Sequence, residues 1–211
     1  MDDPGKGLRR NLSHRERQLE SQRFAEVAAI IRDRRSNLNV DTEREVPREL
    51  IDELLGLAVT APNHYRTKPW RFAVLTGAAR QRMSEIAANA LAEKGGATDA
   101  VLERQRTQFL RAPVVIVAAS AADADPIKDF ENKHTVAAGV QNILLAATAA
   151  GLASAWRSGP AMVDEDVSRA VKAALGLDPT DEVVAFVYLG YPIGPPGSRE
   201  VPEPLVTYLE S

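Results

Sequence analysis

Residues 135–156 contain no charged side chain. An uncharged run of that length suits only two environments, a lipid bilayer or the middle of a well-covered core. Gln141 and Asn142 sit inside the run, and Ala and Gly outnumber Leu and Ile. That composition favours a buried helix in a water-soluble fold, predicted from about Asp129 to Ala150 and closed by Gly151. Its small residues, Ala137, Ala138, Gly139, Ala146, Ala147, Ala149 and Ala150, would let neighbouring helices approach closely, as in a central or subunit-interface helix.

The rest of the chain must cover that helix. With 211 residues, 45% of them hydrophobic, one substantial core is expected. We assign residues 22–211 to a single domain and residues 1–21 to an N-terminal extension, partly disordered or helical. The net charge of −3 provides no basic field for nucleic acid. The absence of cysteine excludes disulfides, thiolate metal sites and Cys nucleophiles, and fits a reducing cytoplasm. The three histidines, His14, His64 and His134, lack metal-ligand spacing, so no metal site is expected. No apolar leader is visible and no membrane partner is expected.

Local signals predict the remaining elements. Ser13 and Glu16 form a capping-box pattern before a helix reaching Arg34, with Phe24, Val27, Ala28 and Ile31 on one face. Residues 37–46 read as a loop, and Pro47 opens a second helix that ends near Thr60. Strands are expected at 70–76, 113–119, 152–156 and 183–189. Helices are expected at 78–93, 98–110 and 164–175. The 91–110 region has few large apolar residues and reads as a mobile cover or an exposed hairpin. Asp123, Asp125 and Pro126 read as turn formers. The tail, Leu205 to Leu209, follows a Pro/Gly-rich stretch and reads as a strand that pairs with another chain.

Three polar clusters stand out against this frame. Residues 60–72, T-A-P-N-H-Y-R-T-K-P-W-R-F, join a helix to a strand through a loop rich in donors, able to hold an anion or a polar cofactor. Arg34-Arg35-Ser36 ends the first helix, where cations also suit the macrodipole. Trp156-Arg157-Ser158-Gly159 follows the uncharged helix. There is no G-x-G-x-x-G after a strand and no P-loop.

A-P-N-H followed by P-W-x-F, with R-R-S before and W-R-S-G after, resembles the flavin-dependent nitroreductase family, in particular its small bacterial branch. The resemblance covers roughly residues 22–209. It implies an α+β fold with a central mixed β-sheet flanked by helices, a homodimer, and a C-terminal strand exchanged with the partner. It also implies FMN as cofactor, NADH or NADPH as electron donor, and a nitroaromatic, quinone or similar small molecule as acceptor, with hydride passing through flavin N5. Carried over position by position, the cofactor-binding residues would be Arg34, Arg35, Ser36, Thr60, His64, Trp156, Arg157 and Ser158. Ala146, Ala147, Thr148, Ala149, Ala150 and Gly151 would match a stretch associated with the nicotinamide nucleotide. The flavin would do the chemistry, so no catalytic side chain is assigned. Two departures accompany the match: Asn37-Leu38-Asn39 stands where many relatives carry an arginine, and Thr60 where some do. They keep open a non-catalytic flavin-fold binding protein, or a member adapted to another flavin or deazaflavin reaction.

Overall fold

In the computed structural model, residues 14–209 are described, with side chains from residue 18 onward. The predicted Ser13 cap and the arm before it lie outside these residues. The chain divides into two units at Arg34/Arg35. Within the first, α1 spans His14–Asp33, and its predicted apolar residues Phe24, Val27 and Ile31 are exposed.

The second unit is a three-layer sandwich. Its sheet runs in the order β1 (Trp70–Thr76), β2 (Val114–Ser120), β4 (Glu182–Gly190), β3 (Ala153–Arg157), and every pairing between these strands is antiparallel. The mixed character expected of the sheet is confined, among the described residues, to one isolated parallel bridge between Ser36 and Ser154. β2 is buried along its whole length, which is why it reads as an unbroken Val/Ile run rather than an alternating one. Its even residues Val114, Ile116 and Ala118 face one core with α2 (Arg48–Ala58) and α5 (Pro126–Ala149). Its odd residues Val115, Val117 and Ala119 face the other, with α3 (Ala78–Lys94) and α7 (Glu165–Leu175).

The uncharged run forms the greater part of α5. That helix begins earlier than predicted, because Asp125 is its N-cap, accepting from the N–H groups of Ile127 and Lys128, and Pro126 occupies the first turn. Asp125 therefore starts a helix rather than a turn. One small residue has a specific use. A Cβ built on Gly139 would lie 2.8 Å from the Ala58 carbonyl oxygen and 3.0 Å from Trp70 Nε1. Gly139 is thus where the end of α2 and the first residue of β1 press against α5.

The 91–110 region is largely exposed but anchored at Gln105 and Phe109, both buried. α4 (Asp99–Arg106) is followed by a single 3-10 turn, Gln108–Arg111, rather than continuing to 110. Phe109 in that turn is fully buried, 5.1 Å from the Phe186 ring and 6.5 Å from that of Tyr188. One aromatic anchor holds a segment whose other residues are largely polar. α6 (Pro160–Val163) leads from β3 into α7 through Asp164, the N-cap of α7. The tail carries no strand within the chain, and Leu205, Tyr208 and Leu209 are exposed.

Candidate functional site

Two of the three polar clusters meet at the outer edge of β3. The Asn37 N–H donates to the Ser154 carbonyl at 2.9 Å, and Ser36 and Ser154 form the parallel bridge. Ser36 and Ser154 are therefore strand neighbours, although more than a hundred positions separate them, and the strand that carries Ser154 leads on into Trp156-Arg157-Ser158. The segment then pairs with the chain after β4. Asp41 N–H donates to Tyr191 O at 2.9 Å, and Ile193 N–H donates to Asn39 O at 3.1 Å. The expected 37–46 loop is present, and these bonds and a single bridge between Val40 and Pro192 tie it down. The departure at 37–39 has a structural use: Asn37 Oδ1 accepts from the Asn39 N–H at 2.9 Å. Ser36, Trp156, Arg157 and Ser158 are exposed, whereas Ser154 Oγ is buried with no hydrogen-bond partner. A buried hydroxyl in that position costs about 1–3 kcal/mol. Arg34 belongs to the first unit, where its N–H donates to Ile30 O and continues the bonding of α1.

The third cluster lies elsewhere on the chain. The Thr60 hydroxyl donates to Leu57 O at 2.7 Å. His64 Nδ1 lies 3.0 Å from Glu131 Oε2 on α5, and its ring packs on Tyr65. The loop is shaped by Asn63, whose Oδ1 accepts from the Lys68 N–H at 2.9 Å and whose Nδ2 donates to Thr67 Oγ1 at 3.0 Å. Thr67 in turn donates to Asn132 at 2.5 Å. This network offsets the strain of two non-glycine residues with left-handed φ, Arg66 and Lys68, both at +53°. Asn63 belongs to the A-P-N-H motif, whereas Thr67 and Asn132 carry no sequence signal of their own.

Arg157 and Ser158 also open into a cleft of about 380 Å³, completed by Arg104, Gln105, Gln108, Arg111, Gly159, Pro160 and Tyr188. None of these comes from the loop bearing Thr60 and His64. The Tyr188 hydroxyl donates to Gln108 O at 3.1 Å, and burial pushes its pKa from the ordinary 10.0 up to about 12. The folded chain holds this proton more tightly than the unfolded one does. Its contribution is therefore complete below about pH 10 and is lost as pH rises through about 12. Chemical denaturation across that window should show a stability decline of at most about 2–3 kcal/mol attributable to this group, and Tyr188→Phe should flatten it. An unchanged alkaline profile in the variant would count against this assignment. Arg104, Arg111 and Gln105 carried no sequence signal, because a charged helix ordinarily presents such residues to solvent.

Ala146 to Gly151 form the C-terminal turn of α5. Gly151 N–H donates to Thr148 O at 3.1 Å, Leu152 N–H donates to Ala147 O at 2.8 Å, and the Thr148 hydroxyl donates to Leu144 O at 2.9 Å. Their visible work is to close the helix and pack its end. A helix C-terminus is also the negative pole of the macrodipole and does not favour a phosphate.

The family model described as "Nitroreductase family" matches residues 31–191, and the chain belongs to that family. YdjA of Escherichia coli K12, named provisionally as an NAD(P)H nitroreductase, is 32% identical over 165 residues, 76% of this chain and 87% of its own length. The crystal structure of a nitroreductase-like family protein from Bacillus cereus superposes with a TM-score of 0.68 at 27% identity, covering 83% of this chain and 91% of that one. A provisionally assigned nitroreductase from Desulfovibrio desulfuricans, solved in complex with FMN, gives a TM-score of 0.63 at 25% identity over 85% and 98% of the two chains.

Proposed function

We propose that this protein is a homodimeric FMN-dependent oxidoreductase that uses NADH or NADPH to reduce a small-molecule acceptor. The observation that supports the reading is the Ser36–Ser154 bridge, which ties the segment carrying Arg35-Ser36 to the strand that leads into Trp156-Arg157-Ser158. The donor set there fits a flavin mononucleotide. Arg35 and Arg157 provide guanidinium groups for a phosphate or an electron-rich ring edge, and Ser36 and Ser158 provide hydroxyls for a ribityl chain. Arg34 is assigned to the same cofactor on the family resemblance. When bound, FMN supplies the hydride chemistry. The protein's part is to hold it, keep one face open, and place cations where charge builds up.

Thr60 and His64 are assigned to the same cofactor from the second copy of the chain, which accounts for their separation from Ser36 and Arg157 in a single copy. β1 is an edge strand beside a groove of about 730 Å³ lined in part by Val46, Pro47, Ile51, Val74 and Thr76. We assign the partner's exposed tail, residues 205–209, to that edge, where strand addition would satisfy both. No helix among the described residues is long and apolar enough to cross a membrane, in keeping with a cytoplasmic enzyme.

The test is direct. The purified protein is expected to be yellow, to have the mass of a dimer by light scattering, and to lose its flavin absorbance when NADH or NADPH is added without oxygen. Arg35→Ala should lower flavin occupancy without changing the circular dichroism. A colourless protein that gains no flavin absorbance from added FMN would instead favour a binding protein that has kept the fold and lost turnover.

A further inference from the structure

The cleft behind Arg157 has a composition that holding a flavin does not explain. Three arginines line it, Arg104 from α4, Arg111 from the 3-10 turn and Arg157 from β3, and no aspartate or glutamate does. None of the three has a carboxylate partner among the described residues. This contrasts with the next arginine along, Arg106, which pairs with Glu103 on the same helix. Gln105 is 4% exposed and lines the same cleft, and its carbonyl accepts from the Thr107 N–H while its side chain makes no hydrogen bond. Gln108 lies across Gly159, where an added Cβ would stand 2.5 Å from its Nε2. Three guanidinium groups without a carboxylate partner, with the side chains of Gln105 and Gln108, form a donor-rich, anion-deficient hollow of about 380 Å³. An oxyanion such as a carboxylate would match them.

We propose that this cleft binds the carboxylate of the electron acceptor, so that the preferred acceptors are anionic. The inference rests on the redox reading above, which places the flavin beside Arg157 and Ser158 and leaves Arg104 and Arg111 outside the set assigned to it. A carboxylate in the cleft would hold the acceptor's reducible group next to the flavin, because both sites share Arg157. The phosphate of FMN presents the same chemistry, and the experiment separates the two.

4-Nitrobenzoate and its neutral counterpart 4-nitrobenzyl alcohol are compared as acceptors for the holoenzyme, the parent protein and Arg104→Gln/Arg111→Gln. Benzoate binding is measured in parallel by titration calorimetry. The parent is expected to favour the acid by about tenfold or more in kcat/KM, through KM, with the preference shrinking as salt is raised. The double variant should lose that preference and most benzoate binding while retaining FMN occupancy and turnover of the alcohol. Equal use of the two acceptors by the parent would overturn the proposal. So would benzoate affinity unchanged by the substitutions, or a variant that loses FMN yet still binds riboflavin, since the arginines would then serve the flavin phosphate. A protein that takes up no FMN would sink the redox reading, and the benzoate titration, which needs no flavin, would still decide whether the cleft binds a carboxylate.

Discussion

Gly139→Leu is expected to lower stability by about 3 kcal/mol or more, enough to leave much of the protein unfolded or aggregated on expression. Even the first added carbon would stand 2.8 Å from a backbone carbonyl, that of Ala58, and 3.0 Å from the Trp70 indole nitrogen. A carbonyl at the end of a packed helix cannot rotate away as a surface side chain can. The alternative is to move α5 off the sheet, and α5 fills one face with Val136, Val140, Ile143, Leu144 and Ala147. Gly139→Ala should lie between the two, because the better helix propensity of Ala, about 1 kcal/mol, partly offsets the same clash. Urea unfolding followed by tryptophan fluorescence measures both. A Gly139→Leu protein as stable as its parent would show that α2 and α5 do not meet as described.

Phe109→Ala should cost about 3–5 kcal/mol and, unlike the first substitution, should also disturb the cleft. Phe109 is fully buried against Phe186 and Tyr188, and its N–H donates to Ser84 Oγ at 3.1 Å. The residue before it provides the carbonyl that receives the Tyr188 hydroxyl. Removing the ring empties a space in one of the two cores and releases the turn that carries Gln108 and Arg111. The expected result is a lower thermal midpoint together with faster amide exchange over residues 99–111. A lowered midpoint with exchange unchanged there would confine Phe109 to core packing and deny it the anchoring role.

The parts of the fold legible in sequence were those governed by local chemistry. Val114 to Ala119 could be read as a doubly covered strand because both of its faces are apolar. Asp164 and Gly176 bracket α7 as N-cap and left-handed C-cap, and such ends depend on a few neighbouring residues. The start of α5 is ambiguous in sequence, because Asp-Pro opens turns as well as helices. The end of α4 was not legible, since Gln108–Arg111 departs from the helix to suit Phe109, whose partners Phe186 and Tyr188 are far along the chain. The W-R-S-G and R-R-S clusters were visible one by one. Their adjacency depended on a bridge to Ser154 that no local pattern encodes.

The order of residues by itself determined that one face of α5 must be buried, that β2 must be covered on both sides, and that cations and hydroxyls would gather at three places. These follow from the cost of exposing apolar surface and from short-range capping, which act over a few residues. Only the tertiary structure decided that Ser36 lies beside Ser154 on the strand leading to Arg157, that Gly139 packs directly against the end of α2 and Trp70, and that Arg104, Arg111 and Gln105 face a common hollow. Those outcomes depend on how sheet order and helix packing bring distant side chains together, and that placement is a property of the whole folded chain.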